Sequence, residues 1–175
     1  MTSRTGGDTP HSDALRRAKR PRSPLAGPYG HPFHPIAVTI PIGAWIASLI
    51  FDIIAFMADD PTPYLVGARI LIVIGLIGAV LAAVLGLLDL LTLAAGSIAR
   101  RTALTHMAIN LAVVVLFLVG AIIRFGSDDD VSILAFVISV VAVLALGVAG
   151  WLGGKLAYHY GVRVADEATQ VEGFR

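Results

Sequence analysis

The chain has 175 residues, of which 57% are hydrophobic and 14% charged, and its formal net charge is +1. So small a polar fraction cannot cover a water-soluble core of this size, which excludes a soluble globular domain and favours a polytopic membrane protein. The absence of cysteine excludes disulfides, thiolate-held iron–sulfur clusters and covalent c-type haem attachment within the chain. Any cofactor must therefore be bound through nitrogen or oxygen ligands.

The first 30 residues combine Ser, Thr, Pro, Gly and Arg without apolar periodicity. Such a segment buries too little apolar surface to offset the entropy of ordering, so residues 1–30 are predicted to form a disordered, cytoplasmic basic tail. Its positive charge suits an anionic lipid surface. It carries no folded module that reads a nucleic acid, so the lipid bilayer, and not nucleic acid, is the expected partner.

Four apolar runs follow, and each can cross a hydrocarbon core of about 30 Å at about 1.5 Å per residue. Because Lys and Arg are retained on the cytoplasmic side, the basic tail and the second loop, with Arg100 and Arg101, are predicted to lie inside. The first and third loops instead carry Asp59, Asp60 and the acidic residues 128–130. The runs cover approximately residues 36–58, 65–95, 103–123 and 131–152.

The predicted fold class is all-α, an integral membrane four-helix bundle with N-in/C-in topology. Residues 31–164 form the four-helix transmembrane domain and residues 165–175 a cytoplasmic C-terminal tail. The predicted location is the cytoplasmic membrane, which the chain crosses several times.

Charged side chains within the apolar runs predict an ion pair. Asp52 shares one helical stripe with Trp45 and Ser48, and a membrane aspartate is costly unless it faces the bundle and finds a cation. Arg69 and Arg124 are the candidates, and helical phase favours Arg124 because Arg69 falls almost opposite the packing face of its own helix. The three residues predict a structural ion pair that locks the bundle, with a proton or ion path as the alternative.

Small residues predict where helices approach closely. Gly75 and Gly86 lie on one side of the second apolar run, close to the stripe that carries Asp89. Gly150 and Gly154 form a G-x-x-x-G face in the fourth run, which suits packing within the chain or association into a homo-oligomer.

Histidines cluster toward the predicted cytoplasmic end and leave three interpretations open. In the first, His106 with His34 or His159 ligates a b-type haem between helices. In the second, His31, His34 and Asp89 bind a divalent metal ion. In the third, the same groups cap helix ends, bond to carbonyls and pair with Asp89, which could also orient His106. No characteristic ligand spacing decides among them.

A combination of short motifs resembles a bacterial membrane family, domain of unknown function 2231, over residues 30–164. Some relatives are joined to a Rieske iron–sulfur domain, so the resemblance implies a redox setting. The motifs are His31-Pro-Phe-His34-Pro, Pro41-Ile-Gly-Ala-Trp45 with Ser48 and Asp52, Gly-Leu-Leu-Asp89-Leu, His106 with Asn110, and Gly150-Trp-Leu-Gly-Gly154 with Tyr158 and Gly161-Val.

The favoured function is a redox-associated membrane subunit, which holds a b-type haem or works with a Rieske-type or other redox protein. The alternative is a non-redox structural or accessory membrane protein, or a small transporter with a buried Asp/Arg/His network. No nucleophile, base and orienting group can be assembled from the serines and histidines at one depth, so no independent catalytic activity is expected.

Overall fold

The computed structural model describes residues 9–127 and 131–175, and over these residues every regular element is helical. Residues 1–8 of the predicted tail and residues 128–130 of the predicted third loop lie outside the described residues. Short turns of 3-10 or π helix cover Pro24–Ala26, Lys155–His159 and Val171–Phe174. The α-helices are α1 (Pro10–Lys19), α2 (His34–Ala37), α3 (Thr39–Ala55), α4 (Thr62–Leu90), α5 (Ile98–Gly126), α6 (Ile133–Gly154) and α7 (Glu167–Gln170).

Four segments are long and apolar enough to cross a membrane, as the hydrophobic runs predicted. Large aliphatic side chains such as Ile77, Leu111 and Leu144 are exposed on their outer surfaces, which is the arrangement that lipid as a solvent permits. The interior instead holds many small residues, which let the helices approach closely. The segments are His34–Ala55, Thr62–Leu90, Ile98–Gly126 and Ile133–His159.

The spans are arranged as two hairpins. The first hairpin is residues 34–90 and the second is residues 98–159, and each packs more closely within itself than against the other. Trp45 and Phe117 join the hairpins in mid-bundle, where their rings stack with centroids 4.3 Å apart. Below, "termini end" denotes the end of the bundle near residues 18–37, 82–106 and 149–166, and "far end" denotes the end near residues 52–69 and 120–139.

A proline interrupts the first span. Helix α2 ends at Ala37 and α3 begins at Thr39, with Val38 in a turn between them. Pro41 has no amide hydrogen to donate back along the helix, which explains the interruption three residues earlier. A Cβ placed on Gly78 would lie 3.1 Å from Cδ of the Pro41 ring, so the glycine makes room for the bend.

The segment before the first span contains a helix and contacts the chain after the last span, whereas the disorder predicted for residues 1–30 stays a prediction. Helix α1 begins with the Thr9 hydroxyl accepting a hydrogen bond from the Ser12 amide. The Ala18 carbonyl accepts the Arg163 amide at 3.0 Å, and the Ala26 carbonyl accepts the Arg163 guanidinium at 2.8 Å. Composition could not reveal these contacts, because the partners of residues 18–27 lie more than a hundred positions later in the chain.

Candidate histidine site at the termini end

Two histidines from different hairpins meet at the termini end. His34 is the first residue of α2, and His106 lies about two turns into α5. Their ring centroids are 6.4 Å apart and the ring planes are nearly perpendicular, at 86°. Both side chains are half-buried. Of the histidines that the sequence singled out, these two are the ones that the structure brings together.

Each of the two rings is held by a backbone carbonyl of the neighbouring helix in its own hairpin. His34 Nδ1 lies 2.9 Å from the Ala82 carbonyl oxygen, and His106 Nδ1 lies 2.8 Å from the Ala149 carbonyl oxygen. A carbonyl oxygen only accepts, so Nδ1 carries the proton in both rings and Nε2 carries the lone pair. This bond also fixes the orientation of each ring, as it does for histidines that bind metals.

Glycines make room for both rings. A Cβ on Gly86 would lie 2.9 Å from His34 Cε1, and a Cβ on Gly153 would lie 3.3 Å from His106 Cε1. Gly86 belongs to the predicted packing stripe, whereas Gly153 lies beside the predicted pair and was not singled out. Within the described chain, a Cβ on Gly150 or Gly154 would meet no atom within 4 Å.

Asn110 is the one side chain that hydrogen-bonds to the pair among the described residues. Its Nδ2 lies 3.2 Å from His106 Nε2 and donates to the His106 carbonyl at 2.8 Å. The spacing of four residues places the two side chains one turn apart on α5. Asn110 therefore satisfies the lone pair of His106 in this arrangement and would have to turn aside before Nε2 could bind anything else.

The remaining predicted ligands lie elsewhere. His31 is exposed, with Nδ1 3.4 Å from the Tyr29 carbonyl, and His159 is exposed beside Tyr160. Asp89 faces Arg163 instead of a histidine. Across residues 9–127 and 131–175, no three His, Asp or Glu side chains are grouped as a metal ion would need, so the structure does not bring together His31, His34 and Asp89.

Asp89 and Arg163 form a buried ion pair that the sequence analysis missed. Arg163 Nε lies 2.9 Å from Asp89 Oδ1, and the arginine side chain is 4% exposed. Arg163 follows the last span and has a φ of 61°, a left-handed conformation that is uncommon for a residue other than glycine. The signal available in the sequence was Asp89 itself, because a carboxylate at that depth requires a cation.

The far end contains the second buried ion pair, between Asp52 and Arg124. Both side chains are at most 5% exposed, and two nitrogens of the guanidinium face the carboxylate. The other acceptors of Arg124 are the Gly120 carbonyl at 3.1 Å, the Ala135 carbonyl at 3.2 Å and the Ser139 hydroxyl at 3.0 Å. The pair therefore links both hairpins with nearly all of its polar atoms satisfied.

Arg69 is the third residue of the predicted ion-pair set, and in the structure it makes a different contact. Its Nη2 donates to the Ser127 carbonyl at 3.1 Å, at the end of α5. Gly75, in the same helix, lies against Trp45, because a Cβ there would be 2.2 Å from the indole nitrogen. Arg69 thus ties α4 to α5 at the far end, while Gly75 admits the central tryptophan.

The C-terminal segment closes over the termini end. The Tyr29 hydroxyl accepts the Asp166 amide at 2.7 Å, which joins the segments before and after the bundle. The Asp166 carboxylate caps α7, and hydrogen bonding from the Thr169 amide holds its pKa below the ordinary value. These contacts hold residues 163–166 and 18–29 together at the termini end.

Comparison with known families identifies the family to which the chain belongs. Residues 30–166 match a family described as a predicted membrane protein, DUF2231. The chain belongs to the DUF2231 family. Comparison with curated proteins and with solved structures gives no significant match.

The match to DUF2231 covers the whole candidate site. It includes both histidines, Asn110, and the ion pair of Asp89 with Arg163. Helix α1 lies before it. In this DUF2231 protein the site consists of two oriented imidazoles at a boundary between helical hairpins, and imidazole nitrogen with an available lone pair can ligate a transition metal or a haem iron.

Proposed function

We propose that this DUF2231 protein is a redox-associated membrane subunit that binds a b-type haem between His34 and His106. The observation that carries the proposal is the paired arrangement of the two rings, each with Nδ1 fixed by a carbonyl and Nε2 directed elsewhere. The family assignment supports only a membrane protein of unknown function, so the haem and the redox role are proposals.

The spacing of the two rings is compatible with both of them holding one metal ion. Two metal–nitrogen bonds of about 2 Å, added to the distance from each ring centre to its nitrogen, require centroids about 6 Å apart when one metal ion lies between the rings. The centroids of His34 and His106 are 6.4 Å apart. His34 and His106 would hold the iron, one from each hairpin, once Asn110 had turned away from His106 Nε2.

A haem fits the donor set better than a bare metal ion does. A metal ion held by side chains alone needs about four ligands, and the described residues place no third His, Asp or Glu beside the pair. A haem iron brings four porphyrin nitrogens and takes only axial ligands from the protein. Two histidines complete that requirement.

The boundary between the two hairpins is the favoured position for the porphyrin ring of the haem. The hairpins pack more closely within themselves than against each other, so this seam can accept a flat group with the least loss of contacts. His34 stays anchored to Ala82 and His106 to Ala149 on either side of it. When bound, the haem would supply a one-electron couple, and the chain would supply ligation, ring orientation and an apolar surround that excludes water.

The Asn110 contact favours a second candidate, a non-redox structural or accessory role. In that role His106 is a core histidine whose two nitrogens are both satisfied, by the Ala149 carbonyl and by Asn110. The pair would then hold the two hairpins together without binding anything. The two candidates differ in whether the purified protein absorbs visible light.

The test is the visible spectrum of the detergent-purified protein, expressed with haem precursor supplied and recorded oxidised and then reduced. We expect a stoichiometric Soret band that shifts on reduction. His34→Ala and His106→Ala should each lose the band or convert it to that of an iron with one axial histidine. His31→Ala is the matched control, because His31 is exposed and three residues from His34, and it should keep the wild-type spectrum.

A flat spectrum in the wild type would contradict the proposal and favour the structural role. Full retention of haem in His106→Ala would contradict the ligand assignment. Loss of thermal stability in His106→Ala, with no visible band in any variant, is the result that the structural role predicts.

We also propose an orientation and a redox partner. The termini end carries most of the basic side chains, among them Arg17, Arg22, Arg100 and Arg101, so it is assigned to the cytoplasmic side of a bacterial cell membrane. With no cysteine of its own, the chain would exchange electrons with a separate protein, of the Rieske type or another redox class. Association into a homo-oligomer through Gly150 and Gly154 stays a prediction.

A further inference from the structure

The guanidinium of Arg163 is buried with part of its hydrogen-bonding capacity unused. Its Nη2 donates to the Ala26 carbonyl at 2.8 Å and the Gly27 carbonyl at 3.1 Å, and its Nε faces Asp89. Its Nη1 is buried and has no partner among the described residues, and the contact from Nε to Asp89 lacks hydrogen-bond alignment. A buried, charged donor without an acceptor is costly, so its persistence calls for an explanation.

Arg163 lies close to the histidine pair by two routes. Asp89 follows Gly86 by three residues in α4, so the ion pair lies about one turn from the glycine that touches His34. The Ala26 carbonyl that accepts Arg163 also accepts the Phe33 amide at 3.2 Å, directly before His34. The guanidinium thus lies at the termini end, near the histidine pair.

We propose that Arg163 is the anion-binding partner of the carboxylate side chains of the haem, which it receives on Nη1. This inference rests on the proposed function. A b-type haem has two carboxylates on one edge. A haem between His34 and His106 could direct that edge toward Arg163. Arginine suits this role because its planar fork binds carboxylates with charge-assisted hydrogen bonds.

The neighbouring Asp89 is consistent with this role. Asp89 fixes the guanidinium from one side through Nε, and the carbonyls of Ala26 and Gly27 fix it from another through Nη2. These three contacts are made before any ligand arrives, and they leave Nη1 as the nitrogen that has no partner. Arg163 is accordingly a binding and positioning residue, and the iron ligands remain the two histidines.

The experiment compares two porphyrins in the full chain: iron protoporphyrin IX and its dimethyl ester, in which both carboxylates are blocked. Each is titrated into haem-depleted wild type, Arg163→Gln, Arg163→Lys and Arg22→Gln, with binding followed by the Soret band. Arg22 is the control, because it lies at the same end but is exposed and donates to the Leu91 carbonyl.

In the wild type the free acid should bind more tightly than the ester. Loss of a charge-assisted hydrogen bond corresponds to an affinity lower by about 10- to 100-fold. Arg163→Gln should lose that much affinity for the free acid and little for the ester. Arg163→Lys, which keeps the charge but not the fork, should recover part of the preference, and Arg22→Gln should behave as the wild type.

Equal weakening of both porphyrins in Arg163→Gln would overturn the proposal, because a purely structural arginine affects them alike. Should Arg163→Gln fail to fold, the wild type alone decides, since equal affinity for acid and ester overturns the proposal. Failure of the wild type to bind either porphyrin contradicts the haem function itself and this inference with it. Haem binding without a preference for the free acid leaves the function standing and overturns only the role of Arg163.

Discussion

Replacing Asp52 by Asn is expected to destabilise the bundle, because it leaves the Arg124 guanidinium buried without a counter-charge. Both residues are at most 5% exposed, so water cannot replace the lost carboxylate. Removing one partner of a buried ion pair costs about 3–5 kcal/mol. Three remaining acceptors, on Gly120, Ala135 and Ser139, and the amide oxygen of the new Asn reduce the loss, so we expect about 3 kcal/mol, the lower end of that range.

Thermal unfolding in detergent, followed by circular dichroism, measures the effect. For a chain of this length a loss of 1 kcal/mol lowers Tm by about 2–4 °C, so Asp52→Asn should lower Tm by about 6–12 °C. The double variant of Asp52→Asn with Arg124→Met should recover much of this loss, because no buried charge remains. Asp59→Asn is the control, since Asp59 is exposed in the following loop, and its Tm should stay within about 1 °C of the wild type.

A Tm of Asp52→Asn indistinguishable from that of the wild type would refute the reasoning. So would a double variant less stable than the single one, because the penalty could not then come from an uncompensated arginine.

Two further predictions concern packing and orientation. Gly75→Ala should lower the free energy of unfolding by about 1–3 kcal/mol, because its methyl group would meet the rigid indole of Trp45. Gly147→Ala, with open space around it, should not lower that free energy. Equal stability of the two variants in chemical denaturation would contradict this prediction. The chain has no cysteine, so single variants Asp59→Cys and Arg101→Cys can be labelled in intact cells with an impermeant maleimide. Labelling of the first alone is the expected result, and labelling of Arg101→Cys alone would reverse the proposed orientation.

The four spans could be predicted from sequence because hydropathy over some twenty residues is a local property. The partnership of Asp52 with Arg124 followed from helical phase combined with the cost of an unpaired membrane charge. The close contacts at Gly75 and Gly86 could also be predicted, because small residues on one stripe indicate where another helix can approach. These inferences needed only the order of residues along single helices.

The site at the termini end could be predicted only in part. His34 and His106 were candidates, but the choice between them and His159 depends on how the hairpins dock, which no local pattern encodes. Arg163 was missed because it follows the last predicted apolar run, which ends near residue 152, and its contacts reach 137 residues back to Ala26. The contacts of residues 18–29 with the chain after the last span were missed for the same reason, since composition measures the capacity of a segment to fold alone.

The division into hairpins has a consequence for how the protein is made. The stacked rings, the Asp52–Arg124 pair and the two facing histidines all join the first hairpin to the second. During synthesis the first hairpin therefore enters the bilayer with Asp52 unmatched, and it must wait for Arg124 to be translated. The segment at residues 18–27 waits longer still, because Arg163 follows the whole of the last span. Closure of the termini end thus requires both hairpins to have been made, because it joins the segment before the first span to the segment after the last.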